Sequence, residues 1–172
     1  MDILQFLVCA KFGPGDTLVS REEHGLVCAK VETATNTSDY KSLDMYTTPE
    51  QAVDFIDRTK VNALAIAIGS AHGYYVETPK LDMNRLKQIN AVVDTPLVLH
   101  GGTGIPDNQL IQAFKLGINK LNVGTEYFAK FYSTTKEYKQ LKDRKDNLFA
   151  FRKYQKKEVR DYLREKISLT NK

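Results

Sequence analysis

Two histidine–glycine pairs, His72-Gly73 and His100-Gly101, each follow a strongly apolar run: Ala65–Ile68 ahead of Gly69-Ser70-Ala71-His72-Gly73, and Pro96–Leu99 ahead of His100-Gly101-Gly102-Thr103-Gly104. A third, strand-like run, Lys120-Leu121-Asn122-Val123, opens into Gly124-Thr125-Glu126. An imidazole at a strand end with glycine beside it can reach a metal ion, and its neutral nitrogens suit Zn2+. Glycine-rich turns expose backbone N–H groups that can hold a phosphate. Gly73, Gly101, Gly102, Thr103 and Gly104 are therefore candidates for a phosphate cradle, and Asn122 and Thr125 can add side-chain donors. The competing reading is plainer: histidines satisfied by backbone hydrogen bonds and glycines making tight turns. Two histidines at matched strand ends favour the metal. The remaining histidine, His24, lies in the polar segment Arg21-Glu22-Glu23-His24-Gly25 and reads as a surface residue. Glu126 reads as a salt-bridge partner or a first-turn acid, and Tyr74 and Tyr75 as rim packing.

The elements that must carry these turns are legible from residue 48 onward. Thr48 can cap a helix with Pro49 in its first turn, and Ala52, Phe55, Ile56 and Thr59 fall on one face. Val61–Ile68 is nearly all apolar, as a strand covered on both faces should be. Asp82 can cap a second helix with Leu86, Ile89 and Val93 inward. Pro96–Leu99 is a short buried strand. Pro106 starts a third helix with Leu110, Ile111 and Phe114 inward, stopped by Gly117. Asn119–Val123 is the next strand. The last stretch is helical, with an apolar stripe at Val159, Tyr162, Leu163 and Ile167. This alternation predicts parallel βαβ units, and ligands in such folds bind beyond the carboxyl ends of the strands. All three turns lie there.

The 172 residues suffice for one domain with a core, but a complete (β/α)8 barrel usually needs about 250. The composition, 42% hydrophobic and 27% charged, is that of an ordinary soluble globular protein. No apolar run approaches the ~20 residues of a membrane span, and no basic segment precedes the apolar start Ile3–Ala10, so a buried strand or helix is expected there rather than a leader. Cys9 and Cys28 give neither a disulfide framework nor a zinc spacing, which points to a reducing cytoplasm. Net charge is +4, with 14 Lys/Arg against 6 Asp/Glu in residues 127–172. The interleaved acids and helical periodicity there favour solvated helix faces over a nucleic-acid surface. Gly13-Pro14-Gly15-Asp16 is a turn, residues 33–48 read as a loop, and Leu7-Val8-Cys9-Ala10-Lys11 recurs as Leu26-Val27-Cys28-Ala29-Lys30. Two copies do not make a repeat architecture.

The three strand-and-turn motifs, Val61–Gly73, Pro96–Gly104 and Lys120–Glu126, resemble those of the class II, zinc-dependent fructose- and tagatose-bisphosphate aldolases, and Lys166-Ile167-Ser168-Leu169 is similar to that family's C-terminus. The match runs over residues 46–172 and leaves 1–45 as a poorly matched N-terminal segment. It implies an α/β fold, roughly the second half of a (β/α)8 TIM barrel, with parallel strands and outer helices. It implies reversible aldol cleavage of fructose or tagatose 1,6-bisphosphate to dihydroxyacetone phosphate and glyceraldehyde 3-phosphate. Carried over residue by residue, it makes His72 and His100 ligands of Zn2+. Gly73, Gly101, Gly102 and Thr103 become contacts of the substrate phosphate, with Asn122, Val123, Gly124 and Thr125 as the second loop around dihydroxyacetone phosphate. The family's third zinc-binding histidine follows its catalytic aspartate in an Asp-His pair, and no Asp-His pair occurs in this sequence. The expectation is therefore a truncated aldolase, inactive alone. The alternative is a non-catalytic fragment that binds sugar phosphate or associates with subunits, as a homo-oligomer or with a complementing N-terminal half. Neither nucleic acid nor membrane is an expected partner.

Overall fold

The computed structural model describes residues 6–9, 46–70, 75 and 77–171. His72, Gly73, Tyr74, His24, the turn at 13–16 and the second copy of Leu-Val-Cys-Ala-Lys lie outside the described residues, as does nearly all of the loop expected over 33–48. The described chain builds β1 (Phe6–Cys9), α1 (Pro49–Thr59), β2 (Leu64–Ala65), α2 (Met83–Asn90), β3 (Leu97–Leu99), α3 (Asp107–Lys115), β4 (Ile118–Val123), α4 (Thr125–Gln140) and α5 (Leu148–Ser168), ending in a 3-10 turn.

Local chemistry sets the helix boundaries. Thr48 and Gln51 form a reciprocal capping box at α1, with Pro49 in its first turn. Asp82 accepts the Arg85 N–H at the start of α2. Gly117, at φ +121, ends the turn after α3, and a Cβ there would collide with the Asn90 side chain. The inward faces follow the expected spacing: Ala52, Leu86, Ile89 and Leu110 are fully buried. Two residues depart from it. Thr59 is exposed and turns its hydroxyl to the Phe55 carbonyl at 2.6 Å. Ile167 is 46% exposed, because α5 packs on α4 through a largely polar seam. There Lys130 meets Glu137 and Glu158 at 3.3 and 3.5 Å, and Tyr154 donates to Glu137 at 3.3 Å.

The sheet order is β1-β4-β3-β2. β2, β3 and β4 are parallel, as the helix–strand alternation requires. β1 instead runs antiparallel to β4, with Phe6 opposite Val123 and Cys9 opposite Lys120. In a closed barrel both neighbours of that strand would be parallel. An edge strand offers its unpaired N–H and C=O groups to either direction, and here the antiparallel partner takes them. The apolar run Val61–Ile68 pairs as a strand only at Leu64–Ala65, since the Ala67 carbonyl and N–H turn to the backbone and hydroxyl of Thr47. Between Leu97 and Val98 the register with β4 shifts by one residue, and the Asn119 side chain accepts the Leu97 N–H at 2.9 Å. This is a bulge closed by a side chain.

The period of two then gives the sheet different faces. Leu64, Ile66, Ile68, Leu97, Leu99, Leu121 and Val123 join the cluster beneath the helices. Ala65, Ala67, Val98, His100, Lys120 and Asn122 are also buried and alternate to the other face.

Candidate active site at the strand ends

The turn after β3 and the turn after β4 meet. His100, 8% exposed, extends β3 by one residue, and Asn122 lies near the end of β4 on the same face. The Asn122 Nδ2 is 3.1 Å from His100 Nε2. The Gly102 N–H donates to the Asn122 carbonyl at 3.2 Å. The Glu126 N–H, in the first turn of α4, donates to Thr103 Oγ1 at 3.1 Å. Three bonds therefore join residues that are some twenty positions apart in sequence, and they bring His100, Gly102, Thr103 and Asn122 together. Val123, 4% exposed, turns its side chain into the core below, so only its backbone can take part. Gly124 and Thr125 open α4.

The glycines divide by role. Gly101, at φ +67, and Gly104, at φ +75, occupy the left-handed region that favours glycine. The Tyr75 hydroxyl donates to the Gly101 carbonyl at 2.9 Å, and the Tyr75 ring lies 3.3 Å from where a Gly104 Cβ would sit. Tyr75 thus holds the turn as well as packing on the rim. The Gly102 N–H is engaged by Asn122, so it is not among the donors left to a phosphate. Thr103 accepts through its oxygen and keeps its O–H proton to donate.

Of the two histidines expected to hold a metal, only His100 is among the described residues. At 3.1 Å the Asn122 amide can donate to a neutral His100 Nε2. Among the described residues no group of three His, Cys, Asp or Glu side chains is placed to share an ion, whereas catalytic zinc sites use three protein ligands and an open position. The described residues on their own do not fit a zinc centre.

Two lysines near these turns were not singled out from sequence. Lys120 is a buried lysine, 6% exposed, on the same sheet face as His100 and Asn122. Its place in the Lys120-Leu121-Asn122 alternation was the available signal. Lys166, on α5, reaches Glu126 at 3.1 Å, which makes Glu126 both a first-turn acid and an ion-pair partner. The Tyr162 hydroxyl is buried beside them. Burial first, then the Glu126 carboxylate, pushes this phenol well above its ordinary value.

A fold with parallel strands, outer helices and a polar site beyond the strand ends is what barrel enzymes use. The model of the class II fructose-bisphosphate aldolase family matches residues 19–172, and the chain belongs to that family. Its fold is similar to the YdjI aldolase from Escherichia coli K12, at 36% identity and TM-score 0.66 over 73% of this chain and 46% of that one. It is also similar to a putative fructose-1,6-bisphosphate aldolase from Coccidioides immitis (24% identity, TM-score 0.64, 73% of this chain and 43% of that one) and to the fructose-bisphosphate aldolase of Campylobacter jejuni (20%, 0.58, 80% and 49%). The chain spans about half the length of the solved structures it matches. Among the described residues no helix is long and apolar enough to cross a membrane.

Proposed function

We propose that this chain carries the triose-phosphate side of a ketose 1,6-bisphosphate aldolase site and binds dihydroxyacetone phosphate without turning over the bisphosphate alone. The observation that carries it is the set of three hydrogen bonds joining the turn Gly101–Thr103 to the turn Asn122–Glu126. The helix N-terminus behind Gly124 and Thr125 favours an anion, the Thr103 hydroxyl can donate to it, and Asn122 and His100 present a polar wall. Gly73 completes the phosphate contacts in this reading. Fructose and tagatose bisphosphates differ at one stereocentre, and both are candidate substrates.

His72 and His100 are the two nitrogen donors proposed for Zn2+. Two donors fall one short of the usual set, and the sequence holds no Asp-His pair to supply the third ligand and a proton-transfer carboxylate. A missing general acid–base group costs about 10²–10⁴ in rate, which supports binding without turnover. A complementing N-terminal half, or a second copy, belongs to the same proposal, as do the division at residues 45/46 and a cytoplasmic location. Calorimetry with dihydroxyacetone phosphate and a cleavage assay with both bisphosphates test it. Saturable binding with no cleavage is expected. Turnover near that of a full-length aldolase sinks the inactive reading, and no binding sinks the phosphate reading.

A further inference from the structure

We propose that Lys166 is a positioning residue for the phosphate-binding turns, acting through Glu126; this rests on the proposed function above. Lys166 lies in the last turn of α5 with its side chain only 12% exposed. Its Nζ is 3.1 Å from Glu126 Oε1 and 3.9 Å from Asp107 Oδ1, and 6.0 Å from the centre of the Tyr162 ring. Glu126 and Asp107 are the first-turn acids of α4 and α3. One ammonium therefore ties the end of α5 to the starts of the two helices that follow the two turns of the site. Exposed pairs such as Arg58–Asp54, at 77% and 66% exposure, are worth little. The Lys166–Glu126 pair is shielded, so removing one partner leaves the other partly buried and uncompensated.

Glu126 transmits this to the site in two ways. Its N–H donates to Thr103 Oγ1, so displacing the first turn of α4 displaces the hydroxyl meant for the phosphate. Its carboxylate shares that first turn with the anion-binding helix terminus, and unless Lys166 neutralises it, it repels the incoming phosphate. Lys166 itself need not touch the ligand.

The test is a double-mutant cycle in the full chain, read by calorimetry with dihydroxyacetone phosphate and by the Glu126 and Thr103 amide resonances. Lys166→Met should weaken binding about tenfold and move both resonances. Lys166→Arg should keep affinity within about twofold. Adding Glu126→Gln to Lys166→Met should recover most of the loss and return the Thr103 resonance towards its parent position. Binding by Lys166→Met within about twofold of the parent overturns the proposal, as does an equal loss in Lys166→Arg. If Lys166→Met does not fold, the double variant is compared with Glu126→Gln alone: equal affinities support the proposal and unequal ones overturn it. A parent chain that binds nothing refutes the phosphate reading, while the resonances still decide whether Lys166 sets Glu126 and Thr103.

Discussion

Replacing Gly102 by alanine tests the site's geometry more sharply than removing a polar group, because the outcome depends on the packing below one backbone atom. A Cβ on Gly102 would stand 2.7 Å from Leu121 Cδ1 and 3.1 Å from both Leu121 Cγ and Val123 Cγ2. Leu121 and Val123 are 1% and 4% exposed and belong to the core under the helices, so neither has open space to move into. The closest contact must open by about 0.7 Å to reach ordinary packing. Overpacking of this kind costs about 1–3 kcal/mol, or about 2–12 °C in Tm for a domain of this size. The control is Gly124→Ala in the adjoining turn, where nothing lies within 4 Å of the new Cβ. There alanine is a poorer helix cap than glycine but restricts the unfolded chain, and the two effects leave stability within about 0.5 kcal/mol. Urea and thermal unfolding of the two variants beside the parent decide the matter. Equal losses, or a Gly102→Ala variant as stable as the parent, would refute the claim that the turn after β3 rests directly on β4.

Other outcomes follow from neighbouring features. Gly69→Ala should be the costliest of the glycine replacements, about 2–5 kcal/mol by urea unfolding, since its φ is +106 and the new Cβ would meet the Lys80 carbonyl oxygen at 2.6 Å and the Tyr46 hydroxyl at 2.8 Å. Thr48→Ala removes the capping box of α1 and should cost about 1 kcal/mol in the same measurement. Tyr162 is held above its ordinary value near 10 by burial and then by Glu126. Its folded form therefore stays protonated where the unfolded one ionises, and stability should fall as pH rises above about 10. Tyr162→Phe should flatten that alkaline limb; a limb left unchanged in this variant refutes the assignment.

What the sequence disclosed was local or periodic. Thr48, Asp82 and Gly117 mark helix ends because a cap or a left-handed residue acts within a few positions. The inward faces of α1 to α3 follow because one apolar stripe meets one core. The run Val61–Ile68 concealed how little of it pairs, since Thr47 claims the Ala67 backbone groups, and no local signal announces that competition. The direction of β1 was equally hidden: four apolar residues specify a strand but not which way it lies against β4. Ile167 continued a credible stripe, yet α4 meets α5 through Lys130, Glu137 and Tyr154, so the apolar position faces outward. In the candidate site, residue types singled out His100, Gly102, Thr103 and Asn122, and their contacts needed the register of β3 on β4. Lys120 and Lys166 escaped because a lysine's default is the surface.

The alternation along the strands gives the two sides of this sheet different evolutionary freedoms. Leu97, Leu99, Leu121 and Val123 answer only to volume and apolarity, so they can exchange with other aliphatic residues so long as the core stays filled. His100, Lys120 and Asn122 carry polar groups that folding alone would not demand at buried positions. Were the proposed site lost, the first row would stay aliphatic while the second drifted towards ordinary core residues. Position parity along β3 and β4 thus separates positions that answer to packing alone from positions whose buried polar groups must also find partners.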